Sequence, residues 1–304
     1  MNKTKYYVRS GRVGASAPLY VLLGGGIGVA IVAALYAVVI RYNPFIYFSF
    51  LATLLFGGLI GFIAVQASQA GKSRSLPFDL FAALLLSAFG LWAYWLIWIV
   101  LELDHGAHVA GELVFAGPAT WGDFLNWLAE NYHVTVSRYI GTHGAQASTD
   151  NMRWIWAGEA LLVMLAAQLL AWTSSGVRIF SERTGKWAET TLKADVQGID
   201  GEPGALREAF ERGDFSALMP LARIDPQAYR LETAWRNVDL ELIAEPSDDT
   251  FRAITVRTVV NRWDKKGKRK QTRTTVVEHL WIAPRDYDAL LTRLAVAETP
   301  ALPA

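Results

Sequence analysis

The sequence has no cysteine. Disulfides, thiolate catalysis and thiolate metal sites are therefore excluded. It also lacks any complete catalytic, metal or nucleotide-binding motif. The run Gly24-Gly25-Gly26-Ile27-Gly28 imitates a dinucleotide fingerprint, but no strand precedes it and no acidic residue follows about 20 positions later. Net charge is nearly absent too, at +1. That balance, like the mean hydropathy of +0.22, averages an apolar half with a polar half.

What the chain has is four long apolar runs: Ala17 to Ile40, Pro44 to Val65, Phe78 to Leu101 and Trp154 to Trp172. Each is about 20 residues, enough to cross ~30 Å of hydrocarbon as a helix. In lipid the backbone must satisfy its own hydrogen bonds, which predicts helices. The second and third runs carry almost no polar stripe, unlike core helices of a soluble protein. The predicted fold is a membrane all-α part of four transmembrane helices plus an α+β domain. The boundaries are a tail at 1–16, a membrane domain at 17–175 with an external loop at about 102–152, and a polar domain at 176–304.

Basic residues alternate in side. Lys3, Lys5, Arg9 and Arg12 precede the first run, Lys72 and Arg74 lie between the second and third, and Arg178, Arg183 and Lys186 follow the fourth. The intervening loops hold only Arg41, Arg138 and Arg153. This bias places both termini in the cytoplasm, and a bacterial inner membrane is the expected location.

Within the spans, Gly24 and Gly28 are four apart, as are Gly57 and Gly61. That spacing stacks them on one helix face and suits close packing of the first two helices or a homodimer face. Glu159 is the one acid well inside a run. It reads as a proton or cation site, or as an interfacial carboxylate paired with Arg41 or an indole N–H. Trp92, Trp95, Trp98, Trp121, Trp127, Trp154 and Trp156 gather toward the outer side, as an interfacial aromatic belt would.

The external loop holds four of the five histidines: His105, His108, His133 and His143. His105 and His108, next to Asp104, have ligand chemistry for a divalent metal. No third ligand stands at a fixed spacing, so neither metal nor cofactor is expected. Ala119 to Tyr132 reads as an amphipathic helix capped by Thr120, lying on the membrane surface or packed on the spans.

After the fourth run, Phe180-Ser-Glu-Arg-Thr-Gly-Lys-Trp187 resembles one knuckle of a zinc ribbon. Ser181 and Thr184 stand where that family has cysteines, ahead of Gly185. The resemblance covers eight residues and implies a turn of that shape without zinc. Downstream, short helices are predicted at Pro203 to Arg212 and Phe215 to Ala222. Period-two alternation predicts strands at Leu231 to Ala244, Phe251 to Trp263 and Thr272 to Ala283, and Asp286 caps a last helix to Val296. This is a three-stranded antiparallel meander with helices on one face.

The second hairpin concentrates charge. Arg262, Lys265, Lys266, Lys268, Arg269, Lys270 and Arg273 face only Asp264. Such a cluster suits anionic lipid headgroups or simply keeps a solvated loop soluble. Trp263 alone offers stacking, which disfavours nucleic acid. The functional expectation is a non-enzymatic sensor or scaffold recruiting an unknown protein partner through its cytoplasmic domain. The alternative is a small transporter or channel subunit using Glu159.

Overall fold

The computed structural model describes residues 5–43, 46–131, 135–136, 145–146, 148–176, 178–224, 234–263 and 268–296. The chain divides into two compact units. One is Ser10–Val177; the other joins Met1–Arg9 to Arg178–Ala304.

The first unit contains four helices long and apolar enough to span a membrane: Ala17–Tyr42, Tyr47–Ala70, Leu76–Glu102 and Thr149–Ser174. The first includes a π-helical stretch, Tyr20–Gly25. The third begins at Ser75, whose hydroxyl accepts the Phe78 amide proton, with Pro77 in the first turn. Ser148 caps the fourth through the Asn151 amide. Small residues occupy many interior positions (Ala33, Ala37, Ala64, Ala83, Ala167, Ala171) beside larger ones such as Phe56, Ile60 and Ile99, while Leu22, Ile27, Ile31, Leu35, Leu55, Leu161, Leu165 and Leu169 are exposed. A water-soluble bundle reverses that arrangement. Small residues inside and large apolar ones outside fit helices that meet lipid.

Gly57 and Gly61 do not join the first two spans. A Cβ at Gly57 would lie 2.5 Å from the Val163 carbonyl oxygen, and one at Gly61 would collide with the Ala167 carbonyl. Both press the second span onto the fourth, because the fourth offers bare backbone there. Gly28 does face the second span, at Ile63, whereas Gly24 has nothing nearby.

The segment between the third and fourth spans forms two helices, Gly106–Leu113 and Pro118–Asn131, and a short strand pair, β1 (Thr135–Val136) and β2 (Ala145–Gln146). Thr120 lies inside the second rather than capping it. The Trp121 indole donates to the Leu113 carbonyl at 3.1 Å and ties the two helices together. The tryptophans divide. Trp154 and Trp127 are exposed, but Trp98 is buried and Trp95 packs edge-on against Trp98 and Trp156.

The second unit is built on a four-stranded antiparallel sheet in chain order: β5 (Glu189–Gln197), β6 (Ala234–Ala244), β7 (Arg252–Trp263) and β8 (Arg269–Trp281). The expected meander of three strands is therefore one short. β5 was missed because its exposed Thr190, Thr191, Lys193 and Asp195 leave only Leu192, Ala194 and Val196 to mark the buried face. Val238, Leu240 and Leu242 of β6 meet Ile254 and Val256 of β7 on that face, with Leu206 and Phe210 of helix Pro203–Glu211 and Tyr287, Leu290 and Leu294 of helix Pro284–Val296. Pro284 starts that last helix. Residues 215–222 form turns, not the predicted helix, although Phe215, Leu218 and Leu221 still enter the core. The other face carries a side-chain ladder. Asn261 Nδ2 donates to Asn237 Oδ1, and Asn237 Nδ2 to Asp195 Oδ1, each at 2.6 Å.

Both sheet edges are partly covered. Gln197 N and Ile224 N bond across to Ala222 O and Asp195 O beside β5. Beside β8, Tyr7 N donates to His279 O at 2.9 Å and Trp281 N to Lys5 O at 3.0 Å. Tyr6 joins the main core, and Tyr7 packs with Phe251 and Trp281 on the opposite side of the sheet. Residues 5–7 thus add a short strand to a domain made by the other end of the chain.

Residues 180–187 form the hairpin that the ribbon resemblance implies: β3 (Phe180–Ser181) and β4 (Lys186–Trp187), with Gly185 at φ 68°. Ser181 Oγ accepts the Thr184 amide proton at 3.3 Å and donates to buried Asp248 at 2.7 Å. Asp248 also takes the Arg183 guanidinium at 2.6 Å and the Thr250 hydroxyl at 2.8 Å. A carboxylate with bonded side chains braces this turn.

Candidate functional site

All four spans contribute to one polar cluster inside the membrane unit. Tyr36 of the first span stacks on Phe56 of the second, centroids 4.3 Å apart and planes within 6°. Tyr94 of the third closes on it at 4.8 Å. These contacts fix the ring and aim its hydroxyl. That hydroxyl reaches Glu159 Oε1 on the fourth span at 2.5 Å and Thr53 Oγ1 on the second at 2.7 Å. Thr53 Oγ1 also lies 2.9 Å from the Ser49 carbonyl oxygen, one turn earlier. Ser49 Oγ in turn accepts a proton of Asn43 Nδ2 at 2.9 Å. Asn43 is the C-cap of the first span, where the chain leaves the bundle.

The sequence singled out Glu159 but not Tyr36, Thr53 or Ser49. A lone tyrosine in an apolar helix carries no positional signal. Arg41, one expected partner of Glu159, instead pairs with Glu102 at 3.7 Å. Asp79 was also overlooked, fully buried in the first turn of the third span with the Ser73 hydroxyl 3.0 Å away.

Proton counting gives the cluster its chemistry. A hydroxyl donates one bond and can accept two. With Glu159 ionised, Tyr36 donates to it and Thr53 donates to the Tyr36 oxygen. With Glu159 protonated, the carboxyl donates to Tyr36, Tyr36 to Thr53, and Thr53 to the Ser49 carbonyl. Every hydroxyl is satisfied in both arrangements. Taking up one proton reverses two hydroxyls without moving a heavy atom.

The other sequence candidates are not gathered into a site. His105, a left-handed N-cap residue, and His108 are both exposed. His108 Nδ1 lies 3.5 Å from Glu112. Among the described residues no three His, Asp or Glu side chains come together to hold a metal ion. His133 and His143 lie outside the described residues. So do Lys265 and Lys266 of the basic hairpin. The described part of that cluster divides between faces: Arg269 pairs with Trp263 and Lys270 with Arg262. Arg269 is held, donating to Asn261 Oδ1 at 3.0 and 2.8 Å and covering the Trp235 ring at 4.9 Å.

Several groups of the second unit have displaced ionisation, Asp195, Asp248 and His279 among them. Burial and then the Asp239 charge push the Asp195 carboxyl up. Burial opposes the Asp248 charge, yet its bonds to Ser181, Thr250 and Arg183 outweigh that and hold it below the usual carboxylate range. Burial lowers His279.

No protein family, no curated protein and no solved structure matches the chain.

Proposed function

We propose that this chain is a non-enzymatic membrane sensor in which Glu159 takes up a proton from the aqueous phase at the Asn43 end. The domain formed by residues 5–9 and 178–304 is then the module that recruits a partner. The observation that carries this reading is the bond chain Glu159–Tyr36–Thr53, fully satisfied with the proton present or absent. Rotation of the Tyr36 and Thr53 hydroxyls lets the cluster adjust its bonds as Glu159, about 15 Å along its helix, gains or loses a proton. Lys and Arg bias supports a cytoplasmic recruiting domain. The sensed phase is then the external one.

Transport would need a second access route. Further along the bundle, Ser87 Oγ donates to the Leu84 carbonyl and Gln168 Nε2 to the Leu80 carbonyl. These bonds end on main chain, as does that of Thr53 at the Ser49 carbonyl, so the described residues form no continuous proton relay across the bundle, and sensing is favoured over transport.

Infrared difference spectra of the protein in nanodiscs test this. A protonated-carboxyl band should rise as pH falls, vanish in Glu159→Gln and shift in Tyr36→Phe. No titrating band in the parent protein overturns the proposal. A proton flux into liposomes that Glu159→Gln abolishes would replace it with transport.

A further inference from the structure

β8 has two hydrogen-bonding sides. β7 takes one along the strand, from Trp263↔Arg269 to Ala253↔Trp281. Among the described residues the outer side is used at one end only. Residues 5–7 pair there with His279–Trp281, and the Val276 carbonyl accepts Arg207 Nε at 2.8 Å. The remainder, Arg269–Thr275, is an exposed row on the rim of the sheet.

We propose that the outer edge of Arg269–Thr275 docks an extended acidic peptide of a partner protein, which adds as a further strand. Three observations support this. First, the same edge already accepts a strand, since residues 5–7 occupy its other end. Second, the row is basic throughout. Arg262, Lys268, Arg269, Lys270 and Arg273 border it, and no acid occurs from Lys268 to Val277. Lysine and arginine on an edge repel a second copy of that edge but attract an acidic strand. Third, the charges lie on both faces: Arg269 with Trp263, and Lys270 with Arg262. A strand alternates its side chains and reaches both faces, whereas a flat bilayer meets one.

The proposal rests on the recruiting role of this domain and not on Glu159. Failure of the carboxyl titration leaves it standing. The test uses the full chain in nanodiscs of zwitterionic lipid and a fluorescent peptide alternating Glu and Val, read by anisotropy. Binding is expected, weakened about tenfold or more when Lys270→Glu and Arg273→Glu are combined. It should be lost when alternate amides of the peptide are N-methylated, because strand addition uses the main chain. Unchanged circular dichroism of the variant keeps the comparison valid. Three outcomes overturn the proposal: equal binding of the N-methylated peptide, equal binding of a peptide alternating Lys and Val, or binding of anionic vesicles with none of the acidic peptide.

Discussion

The Tyr36 hydroxyl stands between two oxygens from different spans, 2.5 Å from Glu159 and 2.7 Å from Thr53. Tyr36→Phe keeps the ring stacked on Phe56 but leaves both oxygens without this partner. A buried group left unsatisfied costs about 1–3 kcal/mol. Tyr36→Phe should lower thermal stability in detergent by that order. Adding Glu159→Gln should then cost much less than it does alone, because the residues share one bond. Strictly additive losses would mean that the bond contributes nothing.

Asp248 predicts acid sensitivity. Its folded-state carboxyl is held below the ordinary value. It therefore contributes stability that is present above the unfolded value, about 3.9, and is lost as pH falls through the folded one. Asp248→Asn should destabilise the polar domain at neutral pH, by about 2 kcal/mol for its charge-assisted bonds, and flatten the acid limb of its unfolding profile. Chemical denaturation followed by Trp fluorescence reads both.

His279 predicts a second slope, at milder pH. Burial lowers its folded pKa below the unfolded value of about 6.5, so stability falls as pH drops through that window. The residue also has φ 51°, a left-handed conformation that asparagine tolerates better than most side chains. His279→Asn should remove the slope with little other loss, while His279→Val should keep the slope absent and cost about 1–2 kcal/mol in backbone strain. Its carbonyl holds the Tyr7 amide, so proteolysis near residue 9 is expected to accelerate in the Val variant.

Topology is directly measurable because the chain has no native thiol. Single cysteines at Gly11 and Arg183 should react with impermeant reagents from the same side, and one at fully exposed Phe115 from the other. Basic bias predicts the cytoplasmic side for positions 11 and 183. Labelling of 11 and 183 from opposite sides would contradict the sheet pairing of Tyr7.

Much of the architecture was legible. Length and apolarity marked all four spans, since twenty apolar residues have few other uses. Alternating Val256, Val260 and Ile254 marked β7. Three things were not legible. β5 alternates too weakly, with Ala194 as one of only three inward residues. Lys5-Tyr6-Tyr7 is too short to carry a period, so nothing in it announces a strand. The partners of Gly57 and Gly61 were misjudged because spacing defines a helix face but not which neighbour meets it. At the candidate site, a carboxylate in an apolar run identified Glu159. Its relay through Tyr36 and Thr53 depends on how the helices are rotated about their axes, which composition does not encode.

The strand at residues 5–7 also ties completion of the domain to the order of synthesis. Those residues emerge before their partners His279–Trp281, which follow only after the four apolar helices have been made. Residues 5–7 must wait for residues 279–281 before this edge can close. A chain that inserts three spans, or five, strands the two segments on opposite faces and leaves Tyr6 and Tyr7 without their pockets. Closing this sheet would then report that a chain had been inserted with the correct parity.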